Sequence, residues 1–149
     1  SWYVSSLEMT FSSSISLIDS EVVTEIESVS SDTSVIVGDI IDNKIDMADI
    51  DEFDKAGSGA SSSAAALTHE LVEQHEKAKA GGVKGTYPTG AGAMHKAGVN
   101  AEDRVNNSRR MENPATGVDK FYKRDGTIYT QTVQPQTSGT VKVTKTKIQ

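Results

Sequence analysis

Residues 64–82 read AAALTHELVEQHEKAKAGG, and this stretch decides the helical part of the fold. Ala, Leu, Glu, Gln and Lys make up most of it, and these residues favour helical backbone. The serines just before it can accept a hydrogen bond from the first turn of a helix, while Gly81 and Gly82 are typical of a helix C-terminus. The pattern therefore predicts a helix over residues 64–80.

A second helix is predicted over residues 91–110, after a loop that is rich in glycine. Gly92 and Gly98 weaken its helix propensity. Its end is expected near Asn113-Pro114, because the residue before a proline disfavours helical backbone. Two helices in the middle of the chain follow from these patterns.

Strands are expected on both sides of the helices. Towards the N-terminus Val, Ile, Ser and Thr alternate, which predicts an antiparallel meander sheet. Its three strands are expected near residues 7–18, 21–29 and 33–41. Towards the C-terminus, residues 121–130 predict a hairpin that turns at Asp125-Gly126, and residues 140–148 predict a last strand. The predicted class is α+β: an N-terminal antiparallel meander sheet, two central helices, and a C-terminal β-hairpin and strand.

Seven acidic residues fall between Asp39 and Asp54. A calcium loop of the EF-hand type needs fixed ligand spacing and a glycine at its sixth position, and this run has neither. We therefore interpret residues 39–54 as a solvated loop rather than as a calcium site.

Length and composition indicate a single domain over residues 1–149. The chain begins with Ser1-Trp2 rather than Met, so we expect a piece of a longer protein. A net charge of −6 argues against nucleic-acid binding, since the phosphate backbone requires a positive face. The chain has no cysteine, and no apolar run approaches the roughly 20 residues that span a bilayer. Any metal would be held by His, Asp or Glu, and neither nucleic acid nor a membrane is expected as a partner.

His69 and Glu73 are placed to bind one metal ion. They are four residues apart, so on a helix their side chains project from the same face. Glu70 lies about 100° further round the helix, the position of a general base that takes a proton from water on the metal. The predicted catalytic residue is therefore Glu70.

A third ligand must come from elsewhere, and we choose His95 in the second helix because imidazole suits zinc. Glu102 lies further along nearly the same face, about 10 Å away along the axis, so one metal would normally take only one of the two. We expect Glu102 to contact a ligand residue or the substrate. It also stays open as an alternative metal ligand. His75 points about 240° round from His69 and is expected on the surface.

The segment His69-Glu70-Leu71-Val72-Glu73, preceded by Ala66-Leu67-Thr68, resembles the active-site helix of zincin-type metallopeptidases. With Met94-His95 downstream, it is similar in particular to the compact zincin-like domains at the C-terminal ends of bacterial Rhs-type and other polymorphic toxins. The resemblance covers residues 64–102. It implies that His69 and His95 bind zinc and that Glu70 is the general base. Glu73 departs from the family pattern, because it stands where a second histidine is usual.

Two functions follow as expectations. The first is a zinc-dependent, peptidase-like hydrolase that acts on a protein or peptide. It would be a secreted effector or toxin domain delivered from a bacterium, with a parent chain or an immunity protein as partner. The alternative is a non-catalytic interaction or structural module, because Ser/Thr-rich strands and a lysine-bearing last strand can pair with a partner's sheet. Such a module would bind no metal, or a structural one held by His69, Glu73, His95 and Glu102.

Overall fold

The computed structural model describes residues 14–19 and 22–149. The helices in this part of the chain are α1 Met47–Lys55, α2 Ser63–Lys79 and α3 Ala91–Asn106. One four-stranded sheet contains β1 Ser14–Asp19, β2 Val22–Val29, β3 Gly38–Asp39 and β4 Lys44–Asp46. The other contains β5 Ser108–Met111, β6 Asp119–Lys123, β7 Ile128–Gln134 and β8 Lys142–Lys147. The α+β class is confirmed, with α1 as a helix that was not predicted.

α2 begins and ends as its sequence predicts. Ser62 is the N-cap, and its hydroxyl accepts a hydrogen bond from the backbone N–H of Ala65 at 3.1 Å. The helix ends at Lys79, and Gly81 follows with a φ of 79°, a conformation that favours a residue without a Cβ. The helix predicted over residues 64–80 is therefore confirmed.

α3 ends earlier than predicted. The expected helix ran to residue 110, but Asn107 has left-handed backbone with a φ of 52°, and the chain continues as β5. Asparagine adopts this conformation more readily than most residues, so it can end a helix as glycine does. Arg110 consequently lies on a strand. Within the described residues, the helices are too short or too polar for any of them to cross a membrane.

The first sheet is not the predicted meander. Its strand order is β1-β2-β4-β3, and β2 pairs with β4 in parallel. Of the strand expected at residues 33–41 only β3 forms, because the preceding residues make turns. The expected first strand began at residue 7 and the second at residue 21, and both starting points lie outside the described residues.

The acidic run is not a solvated loop. Residues 44–55 form β4 and α1, and Asp46 and Asp49 are fully buried. Asp46 caps the N-terminus of α1, and Asp49 accepts hydrogen bonds from the backbone N–H groups of Val37 and Val141, both at 2.9 Å. The interpretation as a loop is therefore wrong. These carboxylates accept hydrogen bonds from backbone N–H groups that have no partner in a neighbouring strand.

The second sheet is an antiparallel meander in the order β5-β6-β7-β8. β6 and β7 form the predicted hairpin, and Gly126 in its turn has a φ of 88°. β8 confirms the last predicted strand, with narrower bounds than residues 140–148.

An apolar core joins the first sheet, α1, α2 and the last strand. Its buried members are Ile15, Ile26, Ile45, Ile50, Phe53, Ala66, Val141 and Val143. Because β8 belongs to the second sheet, this core connects the two sheets around α1 and the start of α2. The remaining face of α2 packs against α3, and the candidate site lies there.

Candidate metal centre

α2 places His69 and Glu73 on the side that faces α3. They are one helical turn apart, and His69 Nε2 lies 2.8 Å from Glu73 Oε2. His69 is only 5% exposed, and Glu73 is half-buried. The contact between His69 and Glu73 therefore lies in the interface between α2 and α3 rather than on an open surface.

α3 brings His95 to the same place. His95 Nδ1 lies 3.3 Å from Glu73 Oε2, and the centroids of the two imidazole rings are 4.9 Å apart. This approach depends on Gly98, because a Cβ there would lie 2.9 Å from the backbone oxygen of His69. Gly98 and His95 are three residues apart and share one face of α3. The glycine thus allows the two imidazoles to meet.

His69, Glu73 and His95 could together hold a metal ion. One potential ligand atom from each residue can be chosen so that all three atoms lie within 4.8 Å of one another. Two imidazole nitrogens and one carboxylate oxygen are a donor set that zinc accepts in catalytic sites, where the fourth position stays open. The three residues that the sequence singled out as candidate ligands are therefore brought together.

The outer nitrogen of each imidazole contacts a further carboxylate. His69 Nδ1 lies 2.8 Å from Glu102 Oε1, and His95 Nε2 lies 2.8 Å from Glu112 Oε1. Partners of this kind fix the ring orientation and tautomer of a metal-binding histidine. Glu102 lies across the His69 ring from Glu73, so the structure puts it beside a candidate ligand and not within the group of three.

Arg110 links the two outer carboxylates. Its Nη1 lies 2.8 Å from Glu102 Oε1, and its Nη2 lies 4.0 Å from Glu112 Oε2. The sequence pattern singled out neither Arg110 nor Glu112, because the predicted helix continued to residue 110. Asn107 was the available signal, since a residue that accepts left-handed backbone could have ended the helix before both of them.

His75 is not a surface residue as predicted. It is 1% exposed, and its Nδ1 lies 2.8 Å from the hydroxyl oxygen of Thr24 on β2. The prediction is wrong because α2 is covered on two sides, by the first sheet near His75 and by α3 near His69. His75 is not part of the group that could hold a metal.

The surrounding carboxylates change the charge of the candidate ligands. Burial lowers the pKa of His69, but hydrogen bonds to Glu102 and Glu73 outweigh burial and raise it to about 10. Burial raises the pKa of Glu73, but hydrogen bonds from His69 and His95 outweigh it and lower the value to about 2. In the metal-free protein His69 is therefore a cation at neutral pH, and a metal must displace its proton.

Glu70 has a different environment from Glu73. Its carboxylate lies against Gly38 of β3, where a Cβ would overlap it. Burial raises the pKa of Glu70 to about 7, while the nearby His69 opposes the shift and Glu73 adds to it. A carboxyl group with a pKa near neutrality can accept a proton in one step and return it in another.

A cavity of about 310 Å³ lies beside the three candidate ligands, Glu70, Glu102 and Arg110. His69, Glu70, Glu73 and His95 line one part of it. Its apolar lining comes from Ile36, Val37, Ile40, Phe53, Ala66 and Val133. A larger cleft of about 550 Å³ lies at the end of α3 and contains none of the histidines. The smaller cavity falls at the lower end of the size range of ligand pockets.

No protein-family model, no curated protein and no solved structure matches this chain. A function is therefore inferred from the positions and charges of the chain's own residues.

Replacing either glycine of α3 by alanine tests how closely the helices must approach. Gly98→Ala should destabilise the metal-free protein by about 1–3 kcal/mol, because the new Cβ meets the backbone of α2 and forces the helices apart. It should also weaken zinc binding, since His95 moves with α3. Gly92→Ala is the matched control: nothing lies within 4 Å of its Cβ position, so stability should rise by up to about 1 kcal/mol.

Urea unfolding of both metal-free variants and zinc titration of the folded proteins give the comparison. Equal stability gains in Gly98→Ala and Gly92→Ala would contradict the requirement for close helix packing.

Proposed function

We propose that this chain is a zinc-dependent hydrolase of the peptidase type. The observation that carries the proposal is the convergence of His69, Glu73 and His95 beside Glu70 in a single cavity. A metal and a carboxyl base in one space are the minimum that this class of hydrolysis requires. Among the described residues, no second function has a comparable cluster of side chains behind it.

The ligand chemistry favours zinc. Imidazole nitrogens suit zinc better than they suit magnesium or calcium, which prefer sets composed of oxygen ligands. Three protein ligands leave one position for water, as in catalytic rather than structural zinc sites. A closed structural site with Glu102 as fourth ligand has little support, because Glu102 is already engaged by His69 Nδ1 and Arg110 on the other side of the imidazole.

Glu70 is the residue we assign to proton transfer. Zinc in this site would supply a water whose pKa is lowered towards about 7. The Glu70 carboxylate, with its pKa raised by burial to about 7, is matched to accept that proton at neutral pH. The carboxylate lies against Gly38, and both residues line the cavity.

A peptide is the substrate class that fits the cavity best. The apolar lining, with Phe53 and Val133 among it, can cover an aliphatic or aromatic side chain of the substrate. The polar groups that line the same cavity can contact the peptide backbone. The proposed partner is therefore a protein or peptide with an apolar side chain next to the bond that is cleaved.

The biological role we propose is that of a toxin or effector domain delivered from a bacterium. Its support is the resemblance of Thr68-His69-Glu70 and Met94-His95 to the toxin domains named above. A domain of this kind would be carried by a longer parent chain. An immunity protein in the producing cell would then cover the cavity until delivery.

Elemental analysis tests the proposal most directly. Protein purified without chelator should contain about one zinc per chain. His95→Ala should lose that zinc without unfolding, because its side chain is 41% exposed and contributes little to the core. Lys96→Ala, an exposed neighbour on α3, is the matched control and should keep the metal.

Absence of zinc from the wild-type protein, together with failure to take up added zinc, would overturn the proposal. The chain would then be better described as the non-catalytic interaction module. Equal zinc content in His95→Ala and wild type would show instead that the metal binds elsewhere.

A further inference from the structure

We propose that Arg110 is a positioning residue that holds both imidazoles of the metal site in place through Glu102 and Glu112. The inference rests on the proposed function, because it concerns the residues that would bind the zinc. It adds a residue on β5, outside the two helices that supply the ligands.

The two histidines are arranged alike. Each turns one nitrogen towards Glu73, and each has a carboxylate at its other nitrogen: Glu102 for His69 and Glu112 for His95, both at 2.8 Å. A carboxylate that accepts a hydrogen bond from the outer N–H keeps the remaining ring proton on that nitrogen when the inner nitrogen gives up its proton to bind a metal. Both ligand nitrogens thus depend on how well these outer carboxylates are held.

Arg110 is the group that both outer carboxylates share. It bonds directly to Glu102 at 2.8 Å, and its Nη2 lies 4.0 Å from Glu112, an ionic contact at longer range. The guanidinium is held in turn by Asp119, which accepts from Nε at 3.0 Å and from Nη2 at 2.7 Å. The planar guanidinium can serve several carboxylates in fixed directions, which the single ammonium of lysine cannot.

The position of Arg110 on the strand is also fixed. Its backbone N–H donates to Asp103 Oδ1 at 2.9 Å, and its side chain is 17% exposed. Glu102 is 2% exposed, so its charge needs a nearby cation to remain ionised in the interior. Arg110 supplies that charge from the second sheet, while Asp103 ties β5 to the end of α3.

Arg110 also lines the cavity, which raises the alternative that it binds substrate. Three of its nitrogens already donate to carboxylates of the protein, namely those of Glu102 and Asp119. A substrate carboxylate would find only the two remaining N–H groups, one on Nη1 and one on Nη2, and would be repelled by the carboxylates already bound there. Positioning of the ligands is therefore the role that its contacts favour.

Zinc affinity of the metal-free protein, measured by competition with a chromophoric chelator, tests this role without any assay of hydrolysis. Arg110→Gln should weaken zinc binding by roughly 10–100-fold, the usual effect of removing a group that orients metal ligands. Its cobalt(II) derivative should show an altered visible absorption spectrum, because the imidazoles are no longer held. Arg110→Lys should lose less zinc affinity than Arg110→Gln. Lysine keeps the positive charge but lacks the planar guanidinium with its several N–H donors.

Arg109→Gln is the matched control. Arg109 is the neighbouring residue on β5, but its guanidinium lies 5.3 Å from the ring centre of Tyr122. The zinc affinity and the cobalt spectrum of Arg109→Gln should equal those of the wild type.

Glu112→Gln completes a double-mutant cycle with Arg110→Gln. If Arg110 acts partly through Glu112, the double variant should lose less affinity than the two single losses multiplied together. If circular dichroism shows that Arg110→Gln does not fold, Arg110→Lys replaces it. Its zinc affinity and cobalt spectrum are then compared with those of the wild type in the same way.

A folded Arg110 variant with the zinc affinity and cobalt spectrum of the wild type would overturn this inference and leave the proposed function standing. A wild-type protein that binds no zinc would overturn the proposed function itself. The two failures are therefore distinguishable.

Discussion

Glu70→Gln is expected to keep about one zinc per chain and to lose hydrolysis by roughly 10²–10⁴-fold. Glutamine has nearly the shape of glutamate but cannot accept a proton, so the change removes the base and little else. Glu70 is not among the three residues that could hold the metal, which are His69, Glu73 and His95. Metal content and catalysis should therefore separate in this variant.

The measurement pairs elemental analysis with cleavage of a mixed peptide library by the zinc-loaded protein. Glu76→Gln is the matched control, because Glu76 lies on the same helix but pairs with Lys79 outside the cavity. It should keep full activity. Hydrolysis by Glu70→Gln at the wild-type rate would exclude Glu70 as the base, whatever the metal content.

The loss should come mainly from the chemical step. A base that acts only in the transition state lowers kcat and kcat/KM together when it is removed. A change confined to KM would instead indicate that Glu70 contacts the substrate. The same experiment thus distinguishes two roles for a carboxylate that lines the cavity.

The elements with local signals were predicted well. α2 combines strong helix formers with a serine cap and a terminal glycine, so its bounds follow from residues 62–82 alone. The hairpin at Asp125-Gly126 is equally local, because its turn type depends on the glycine. In both cases the residues that decide the structure are next to one another in sequence.

The errors lie where distant groups decide the outcome. Asp46 and Asp49 look like part of a solvated acidic run, yet Asp49 bonds to Val141 N, far along the chain. No spacing rule reveals such a partner. The same holds for His75, which is buried only because β2 packs against α2 at Thr24.

The candidate site was only partly predictable for the same reason. The pairing of His69 with Glu73 follows from helical spacing, and the choice of His95 from the chemistry of imidazole. Arg110 and Glu112 reach the site only because α3 stops at Asn106 and the chain turns back as β5. One misplaced helix end therefore hid Glu112, which contacts the outer nitrogen of His95, and Arg110, which contacts Glu102.

Zinc affinity is expected to rise steeply with pH. Zinc binds neutral imidazole, but hydrogen bonds to Glu102 and Glu73, acting against burial, raise the pKa of His69 to about 10 in the metal-free protein. Binding at lower pH must therefore release the proton of His69, which raises the affinity about tenfold for each pH unit. Between about pH 6 and about pH 8 the expected gain is roughly 100-fold from this group alone.

The slope should be steeper at the acidic end of this range. The pKa of His95 is also raised, by its hydrogen bond to Glu73 against the effect of burial, so a second proton is released there. Glu73 adds nothing to the slope, because its pKa of about 2 leaves it ionised throughout. Calorimetric titration with zinc in two buffers of different ionisation enthalpy counts the released protons, and the expected number is between about one and two.

Glu102→Gln is the informative variant for this dependence. Without the negative charge of Glu102 at its Nδ1, His69 should titrate closer to the ordinary histidine pKa, and the slope should flatten above about pH 7. A wild-type affinity that does not change with pH, with no proton released, would mean that His69 is not a ligand. An unchanged slope in Glu102→Gln would assign the raised pKa of His69 to Glu73 instead, which lies at its other nitrogen.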